Sequence, residues 1–191
     1  GSQLFCADEA AYAGHSDIIA PFLPDRSRPE TWHIYTARES DGSVSPRVAA
    51  FDSAGHRIWG DVDQGHMDLG WIARLPGRDD PTAMAIRIGK KTCGPDGRFH
   101  QDIDSFAWNA LTGEPWDPGY SLYQTVPIDL NGDGYHELVR GIASADGAVL
   151  DPDGNVIASV GGAVAIQSKF LNHPGEQLLS YHPDGTLRIW A

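Results

Sequence analysis

The sequence predicts an all-β fold made of four similar antiparallel sheets. The chain has 191 residues, of which 22 are Gly and 13 are Pro, a composition rich in turn formers and poor for long helices. Short apolar runs with period-two alternation recur between Asp-Gly and Ala-Gly turns, as expected for strands. The same layout returns about every 45–50 residues, which is the period of a four-stranded β-propeller blade.

Each repeat begins at a glycine and continues into a first strand that ends in a turn. The four starting glycines are Gly14, Gly65, Gly119 and Gly162. A second apolar strand follows in each repeat, at residues 32–36, 83–88, 137–140 and 177–181. We therefore expect about four blades in one domain covering residues 1–191, at approximately 14–64, 65–118, 119–161 and 162–191.

The fourth repeat ends after its third strand, so its outer edge lacks a partner. Residues 1–13 precede the first repeat, and pairing them with this edge would close a four-bladed ring and protect the edge from aggregation. The alternative is that the chain forms part of a larger propeller. A β-sandwich whose turns share this spacing by coincidence is a third interpretation.

Charge and cysteine content exclude several classes of partner and fold. The net charge of −12 argues against nucleic acid or an anionic membrane as partner, since both require a basic face. It leaves an acidic substrate open, because local cations can reverse the sign within a cleft. The two cysteines, Cys6 and Cys93, are too few for a disulfide framework, and their pairing stays open. The sequence does not indicate an oligomeric state.

The segment Asp129-Leu130-Asn131-Gly132-Asp133-Gly134-Tyr135-His136-Glu137 predicts a calcium-binding loop. Oxygen-bearing side chains alternate along it, and two glycines allow a tight bend. Ca²⁺ prefers six to eight oxygen ligands in a flexible loop of this kind. The expected ligands are the side chains of Asp129, Asn131, Asp133 and Glu137 and the backbone carbonyl of Tyr135. The competing interpretation is that the Asp-Gly pairs only form hairpin turns.

Strand patterns flank this loop on both sides, whereas helices flank an EF-hand loop. A strand, a calcium loop and a second strand in this order resemble the FG-GAP repeat of integrin α-type propellers and of the rhamnogalacturonan lyase propellers. The resemblance implies a secreted, calcium-binding propeller, extracellular or periplasmic. The corresponding loops of the other repeats depart from the calcium pattern, at residues 24–30, 76–81 and 172–176.

The motif Gly-His-x-Asp occurs twice, at the start of the first and second repeats. It contributes His15 with Asp17 and His66 with Asp68. The rhamnogalacturonan lyase propellers have a similar Gly-His-Gly-Asp, which implies that both histidines face the central channel. Imidazole titrates near neutrality, so His15 and His66 are candidate proton carriers or substrate contacts. Alternatively, these side chains bond only to the backbone or to each other.

Tyr123 and Arg140 lie in the two predicted strands beside the calcium loop. Propeller-shaped ulvan lyases are similar in placing a Tyr and an Arg on neighbouring strands, together with histidines around their cleft. β-Elimination beside a uronate carboxylate needs a cation to neutralise it, a base and an acid. The resemblance assigns neutralisation to Arg140 and proton transfer to Tyr123 or His66. The structural alternative is that Tyr123 packs in the sheet and Arg140 pairs with a neighbouring acid.

Two functions from different classes follow from these residues. The first is a polysaccharide lyase with Ca²⁺ as cofactor, acting on a uronate-containing polysaccharide. The second is a non-catalytic, calcium-stabilised module that binds carbohydrate or protein. The sequence contains no Gly-x-Ser-x-Gly, His-Glu-x-x-His or phosphate-loop motif that would favour another enzyme class.

Overall fold

A computed structural model describes residues 1–3, 15–39, 45–141 and 146–191. The chain divides into two compact units. Unit 1 contains residues 1–72 and 80–116, and unit 2 contains residues 73–79 and 117–191. The described residues form fifteen strands and one short 3-10 helix, Pro29–Thr31. The predicted all-β class is confirmed, and none of these ranges contains a helix that is long and apolar enough to cross a membrane.

Unit 1 contains two antiparallel sheets in which strands that are consecutive in sequence are neighbours. The first has the order β1 (Ser16–Phe22), β2 (His33–Arg38), β3 (Val48–Phe51) and β4 (Arg57–Asp61). The second has the order β5 (His66–Ala73), β6 (Thr82–Cys93), β7 (Phe99–Asn109) and β8 (Pro115–Trp116). This up-and-down order follows from short turns, which join antiparallel neighbours without a crossover.

The core of unit 1 is an aromatic row between its two sheets. Tyr35 packs on Trp59, Trp59 on Trp108, and Trp108 stacks on Phe106, with ring centroids 5.7–6.0 Å apart. The indole N–H of the fully buried Trp108 donates to the Asp61 carboxylate at 2.7 Å. Burial of large rings supplies most of the apolar area here, and the hydrogen bond satisfies the indole nitrogen.

Unit 2 repeats the same local design. Its first sheet has the order β9 (Thr125–Ile128), β10 (Glu137–Arg140), β11 (Ala148–Leu150) and β12 (Val156–Ser159). Its second sheet has three strands, β13 (Ala163–Ser168), β14 (Gln177–Tyr181) and β15 (Leu187–Trp190). Branched aliphatic side chains from both sheets form one core, which consists of Ile128, Val139, Val149, Val160, Val164 and Leu178.

Aspartate side chains close the hairpins between outer strands. Between β3 and β4, the Asp52 carboxylate accepts the backbone N–H groups of Ala54 and His56 at 2.9 Å. Between β11 and β12, Asp151 accepts those of Asp153 and Asn155 at 3.0 and 2.8 Å. The backbone N–H of His56 is the main cause of a lowered Asp52 pKa, and the Asn155 side chain is the main cause of a lowered Asp151 pKa. The sequence pattern Asp-x-x-Gly therefore fixes both turns locally.

Each observed sheet lies within one of the four segments predicted from the repeat. The sheets have three or four strands, and none of them closes on itself. Their arrangement as propeller blades stays a prediction. Residues 1–13 are expected to complete the last sheet, and residues 4–13 of this segment, including Cys6, lie outside the described residues. Cys93 is an exposed free thiol at the end of β6.

Candidate functional site

The first Gly-His-x-Asp motif is held against the end of β2. The backbone N–H of Glu39 donates to the carbonyl of His15 at 3.0 Å, which extends the pairing of β1 and β2 by one step. This pairing brings the Glu39 carboxylate to 2.5 Å from Nδ1 of His15. Nε2 of the same ring lies 3.9 Å from Asp17. The His15 ring is therefore oriented by a carboxylate on each side.

The second copy of the motif reaches the same glutamate. Nε2 of His66, the first residue of β5, lies 3.8 Å from Glu39 and 3.6 Å from Asp68. The two motifs thus meet at Glu39, which lies between their histidines. As the structural alternative expects, the His and Asp side chains of each motif contact each other. Together with Glu39 they form one cluster of two imidazoles and three carboxylates.

This cluster has the chemistry of a proton-transfer site or a divalent metal site. The ligand atoms of His15, Asp17 and Glu39 lie within 4.8 Å of one another, the one such His/Cys/Asp/Glu group in the described ranges. Imidazole and carboxylate ligands suit Zn²⁺ and related divalent cations. Without a cation, the carboxylates orient the rings, so that one ring nitrogen can accept or donate a proton.

A cavity of about 540 Å³ lies beside His66 in unit 1. Its lining includes the polar residues His66, Arg87, Lys90 and Gln101, together with Gly65, Ile88 and Gly89. The cavity is large enough for a small ligand and combines a titratable ring with two cations. Arg87, Lys90 and Gln101 were not predicted from the sequence.

The strands themselves explain why these residues were missed. Sequence analysis ends the second strand of this repeat at residue 88, whereas β6 continues to Cys93. Strand β6 is irregular between Ile88 and Lys91, where its pairing with β7 shifts. The exposed, charged residues after Ile88 do not resemble a strand, so Lys90 gave no sequence signal. Arg87 lies within the predicted strand, where no motif marks it as a binding residue. Glu39 could have been found by extending the hairpin pairing of β2 back to the Gly-His-x-Asp motif.

In unit 2, the predicted calcium loop joins β9 to β10. Asp129 accepts the backbone N–H groups of Gly132 and Gly134 at 2.7 and 2.9 Å, one on each carboxylate oxygen. Asn131 accepts that of Asp133, and Asp133 accepts that of Tyr135, at 2.9 and 2.8 Å. The three alternating side chains therefore wrap the backbone into a tight loop. Gly132 and Gly134 adopt φ values of 79° and 83°, which side-chain-bearing residues avoid.

A second loop of unit 2 fastens this loop in place. The backbone N–H of Asp129 donates to the Glu176 carboxylate at 3.1 Å, and the N–H of Glu176 donates to the Asp129 carbonyl at 2.7 Å. A β-carbon on Gly175 would overlap the backbone of Leu130, so the two loops approach as closely as glycine allows. Glu176 was not predicted, because nothing in its local sequence points to residue 129.

The donor set of the loop is chemically suitable for Ca²⁺, since every expected ligand atom is an oxygen. The geometry fits only in part. Glu137 turns toward the loop and accepts the N–H of Leu130 at 3.3 Å. Within the described part of the chain, the carboxylates of Asp129, Asp133 and Glu137 do not all converge to within 4.8 Å. A cation would therefore have to draw these carboxylates together.

Tyr123 and Arg140 also belong to unit 2, but their placement differs from the prediction. Strand β9 begins at Thr125, so Tyr123 precedes the strand. Gln124 has a φ of 59°, and the N–H of Thr125 donates to the Leu122 carbonyl, which makes a turn where a strand was expected. Arg140 is in β10 as predicted, and its Nε and Nη2 both lie 3.0 Å from Asp146. The ion-pair alternative for Arg140 is thus present in the structure.

The predicted catalytic residues consequently form two groups. His15 and His66 come together in unit 1, whereas Tyr123 and Arg140 belong to unit 2. Comparison of the chain with protein-family models, with characterised proteins and with solved structures gave no match. The functional argument therefore depends on the residues themselves.

Proposed function

We propose that this chain is a secreted, calcium-binding β-propeller, or part of one, that cleaves an acidic polysaccharide by β-elimination beside a uronate carboxylate. The observation that carries the proposal is the convergence of two Gly-His-x-Asp motifs on Glu39, next to a cavity lined by Arg87 and Lys90. A lyase needs this combination of a proton carrier and a cation.

His66 is the proposed proton carrier, because it borders the cavity while Glu39 and Asp68 orient its ring. It removes the proton on C5 of the uronate. The electron pair of that C–H bond forms the C4–C5 double bond, and the C4–O glycosidic bond breaks. The leaving oxygen then takes a proton from a second group, for which His15, which also contacts Glu39, is the candidate within unit 1.

Arg140 is the cation that sequence analysis assigns to the uronate carboxylate. Its guanidinium is paired with Asp146, and its side chain is about two-fifths exposed. Tyr123 precedes β9 in the same unit. Both residues are proposed as substrate contacts of unit 2.

Calcium in this proposal is structural. Bound Ca²⁺ would be held by the side chains of Asp129, Asn131, Asp133 and Glu137 and the carbonyl of Tyr135. It would neutralise the carboxylates of the loop and stabilise the folded state by ligand linkage. The residues of the loop orient the β9–β10 hairpin, and they carry no step of the elimination.

The alternative function is a non-catalytic, calcium-stabilised module that binds carbohydrate or protein. It is favoured by the Arg140–Asp146 ion pair and by the hydrogen bonds that bind the calcium loop to Glu176, since both arrangements are structural. In this alternative, the His cluster stabilises the ends of β2 and β5 and transfers no proton.

Ultraviolet absorbance of unsaturated uronate products, measured with pectin and ulvan backbones, distinguishes the two functions. The lyase proposal expects product from the wild-type chain and a loss of about 100-fold or more in His66→Gln. His56→Gln is the matched control, because His56 also pairs with a carboxylate, at 3.1 Å, but lies in an exposed hairpin. Absence of product on every uronate polymer, with a folded protein, would favour the binding module.

A further inference from the structure

The cavity beside His66 has a cationic wall in a strongly acidic chain. The net charge is −12, yet Arg87 and Lys90 both line this one cavity. Two cations on one wall attract an anionic group in preference to a neutral one. The volume of about 540 Å³ fits a ligand of one to a few sugar rings.

An irregularity in β6 places the two cations together. In a regular strand, residues 87 and 90 would point to opposite faces. Ile88 pairs with Ile103 and Lys91 pairs with Gln101, so β6 contains one more residue than β7 between these two pairs. The extra residue is a β-bulge, which re-aims side chains and often lies beside a binding site. The side-chain amide of Gln101 donates to the Gly89 carbonyl at 2.8 Å and fastens the bulge.

The guanidinium of Arg87 is held in place by contacts within the protein. Its Nε and Nη2 both lie 2.9 Å from the Asp104 carboxylate, and Nη1 donates to the Gln64 carbonyl at 3.3 Å. The guanidinium lies over the Phe106 ring, 5.1 Å from its centroid. Such restraints lower the ordering cost of binding. Because Asp104 offsets part of the Arg87 charge, the exposed Lys90 supplies the excess positive charge of the wall.

We infer that Arg87 and Lys90 bind the carboxylate of a uronate residue, and that the Gln101 side chain and the backbone of Gly65 contact its hydroxyl groups. The inference depends on the proposed function for the saccharide nature of the ligand, but it does not require elimination. A sulfate ester offers a similar oxyanion. The carboxylate is assigned because the proposed function acts beside a uronate carboxylate.

Calorimetric titration of the full chain tests this site with three probes. They are a galacturonate tetrasaccharide, the same tetrasaccharide with its carboxyl groups reduced to alcohols, and a sulfated neutral tetrasaccharide. We expect the galacturonate probe to bind most tightly, with an affinity that falls as salt is added. Lys90→Gln should weaken this binding about fivefold or more. Lys91→Gln removes the same charge one residue away, outside the cavity wall, and should change it less than twofold.

Arg87→Gln provides a second variant and should weaken binding more than Lys90→Gln, with its folding checked by circular dichroism because Asp104 loses its partner. Equal effects of Lys90→Gln and Lys91→Gln would overturn the site. Equal binding of the reduced probe, or no binding of any probe, would overturn it as well. Tighter binding of the sulfated probe would overturn the carboxylate assignment. Galacturonate binding without unsaturated product would sustain this inference and reject only the elimination proposed above.

Discussion

The side chain of Arg87 occupies the space that a side chain on Gly65 would need. A β-carbon built on Gly65 would overlap Cδ of Arg87 and lie 2.9 Å from its Cγ. Gly65 also has a φ of 108°, in the region that side-chain-bearing residues avoid. The glycine before His66 therefore has a specific role in unit 1, since it leaves room for the guanidinium that lines the cavity.

Gly65→Ala should destabilise unit 1 and displace Arg87 from Asp104. We expect a loss of about 2–3 kcal/mol in the free energy of unfolding, from backbone strain and steric overlap together. Gly97→Ala is the matched control, because Gly97 has a φ of 75° but no atom within 4 Å of the added carbon. It should cost only about 1 kcal/mol, the contribution of strain alone. Urea denaturation measures both, and equal losses would contradict the overlap.

Asp133→Ala should lower the melting temperature by several degrees in Ca²⁺ and by distinctly less in EDTA. The reason is linkage, since a ligand present at about 100 times its dissociation constant adds about 2.7 kcal/mol to the folded state. A small effect in EDTA is expected because Asp133 accepts the Tyr135 N–H at 2.8 Å. Asp153→Ala, in the β11–β12 hairpin, is the control and should change the melting temperature equally in Ca²⁺ and in EDTA. Equal melting-temperature shifts for Asp133→Ala in the two buffers would contradict calcium binding by this loop.

Glu176→Ala should destabilise unit 2 by about 1–2 kcal/mol, because it leaves the N–H of Asp129 without its acceptor. Glu176→Gln keeps an acceptor oxygen and should recover most of this loss. Glu114→Ala, at an exposed position in unit 1, serves as the control for removing a glutamate. Amide hydrogen exchange provides the local readout, with faster exchange at Asp129 in the alanine variant. Unchanged exchange there would show that Glu176 does not fasten the loop.

The Asp52 turn predicts a specific loss of stability in acid. The pKa of Asp52 is lowered from 3.8, first by the backbone N–H of His56, so the ionised form is favoured in the folded state. Its contribution is complete above pH 3.8 and is lost as the pH falls through the lower folded-state pKa. Asp52→Asn should flatten the fall in urea midpoint below that pH. In His56→Gln, most of the decrease in urea midpoint at low pH should remain, because the backbone N–H of residue 56 still donates to Asp52. If His56→Gln flattens the decrease as much as Asp52→Asn does, the side-chain ion pair is the cause of the acid sensitivity.

The fold could be predicted from the sequence where local patterns are decisive. Strand β10 has the predicted bounds, Glu137–Arg140, because its apolar pair is flanked by polar residues and a glycine-rich loop. The sequence predicts β6 too short, since residues beyond the bulge between Ile88 and Lys91 are exposed and include charged side chains. The sequence predicts Tyr123 in a strand, because nothing in it signals the positive φ of Gln124.

The candidate site could be predicted only in part for a related reason. His15 and His66 carry a recognisable repeated motif, and their chemistry is evident from residue type. Glu39 can be found by extending the β1–β2 hairpin to the first motif, whereas its contact with His66 and the roles of Arg87 and Lys90 have no sequence signal. Long-range pairing depends on which hairpins face each other, and a sequence pattern of period two does not encode that choice.

The Arg140–Asp146 pair allows the proposed contact between Arg140 and substrate to be separated from its structural role. Asp146→Asn removes the ion pair but keeps the guanidinium, whereas Arg140→Gln removes both. A half-exposed pair contributes about 0.2–1 kcal/mol, so the two variants should have similar, slightly reduced stability. If Arg140 contacts the uronate, Arg140→Gln should lower the rate of product formation about tenfold or more, and Asp146→Asn should leave it within about twofold. We expect this difference. Equal rates in the two variants, at equal stability, would restrict Arg140 to its structural ion pair with Asp146.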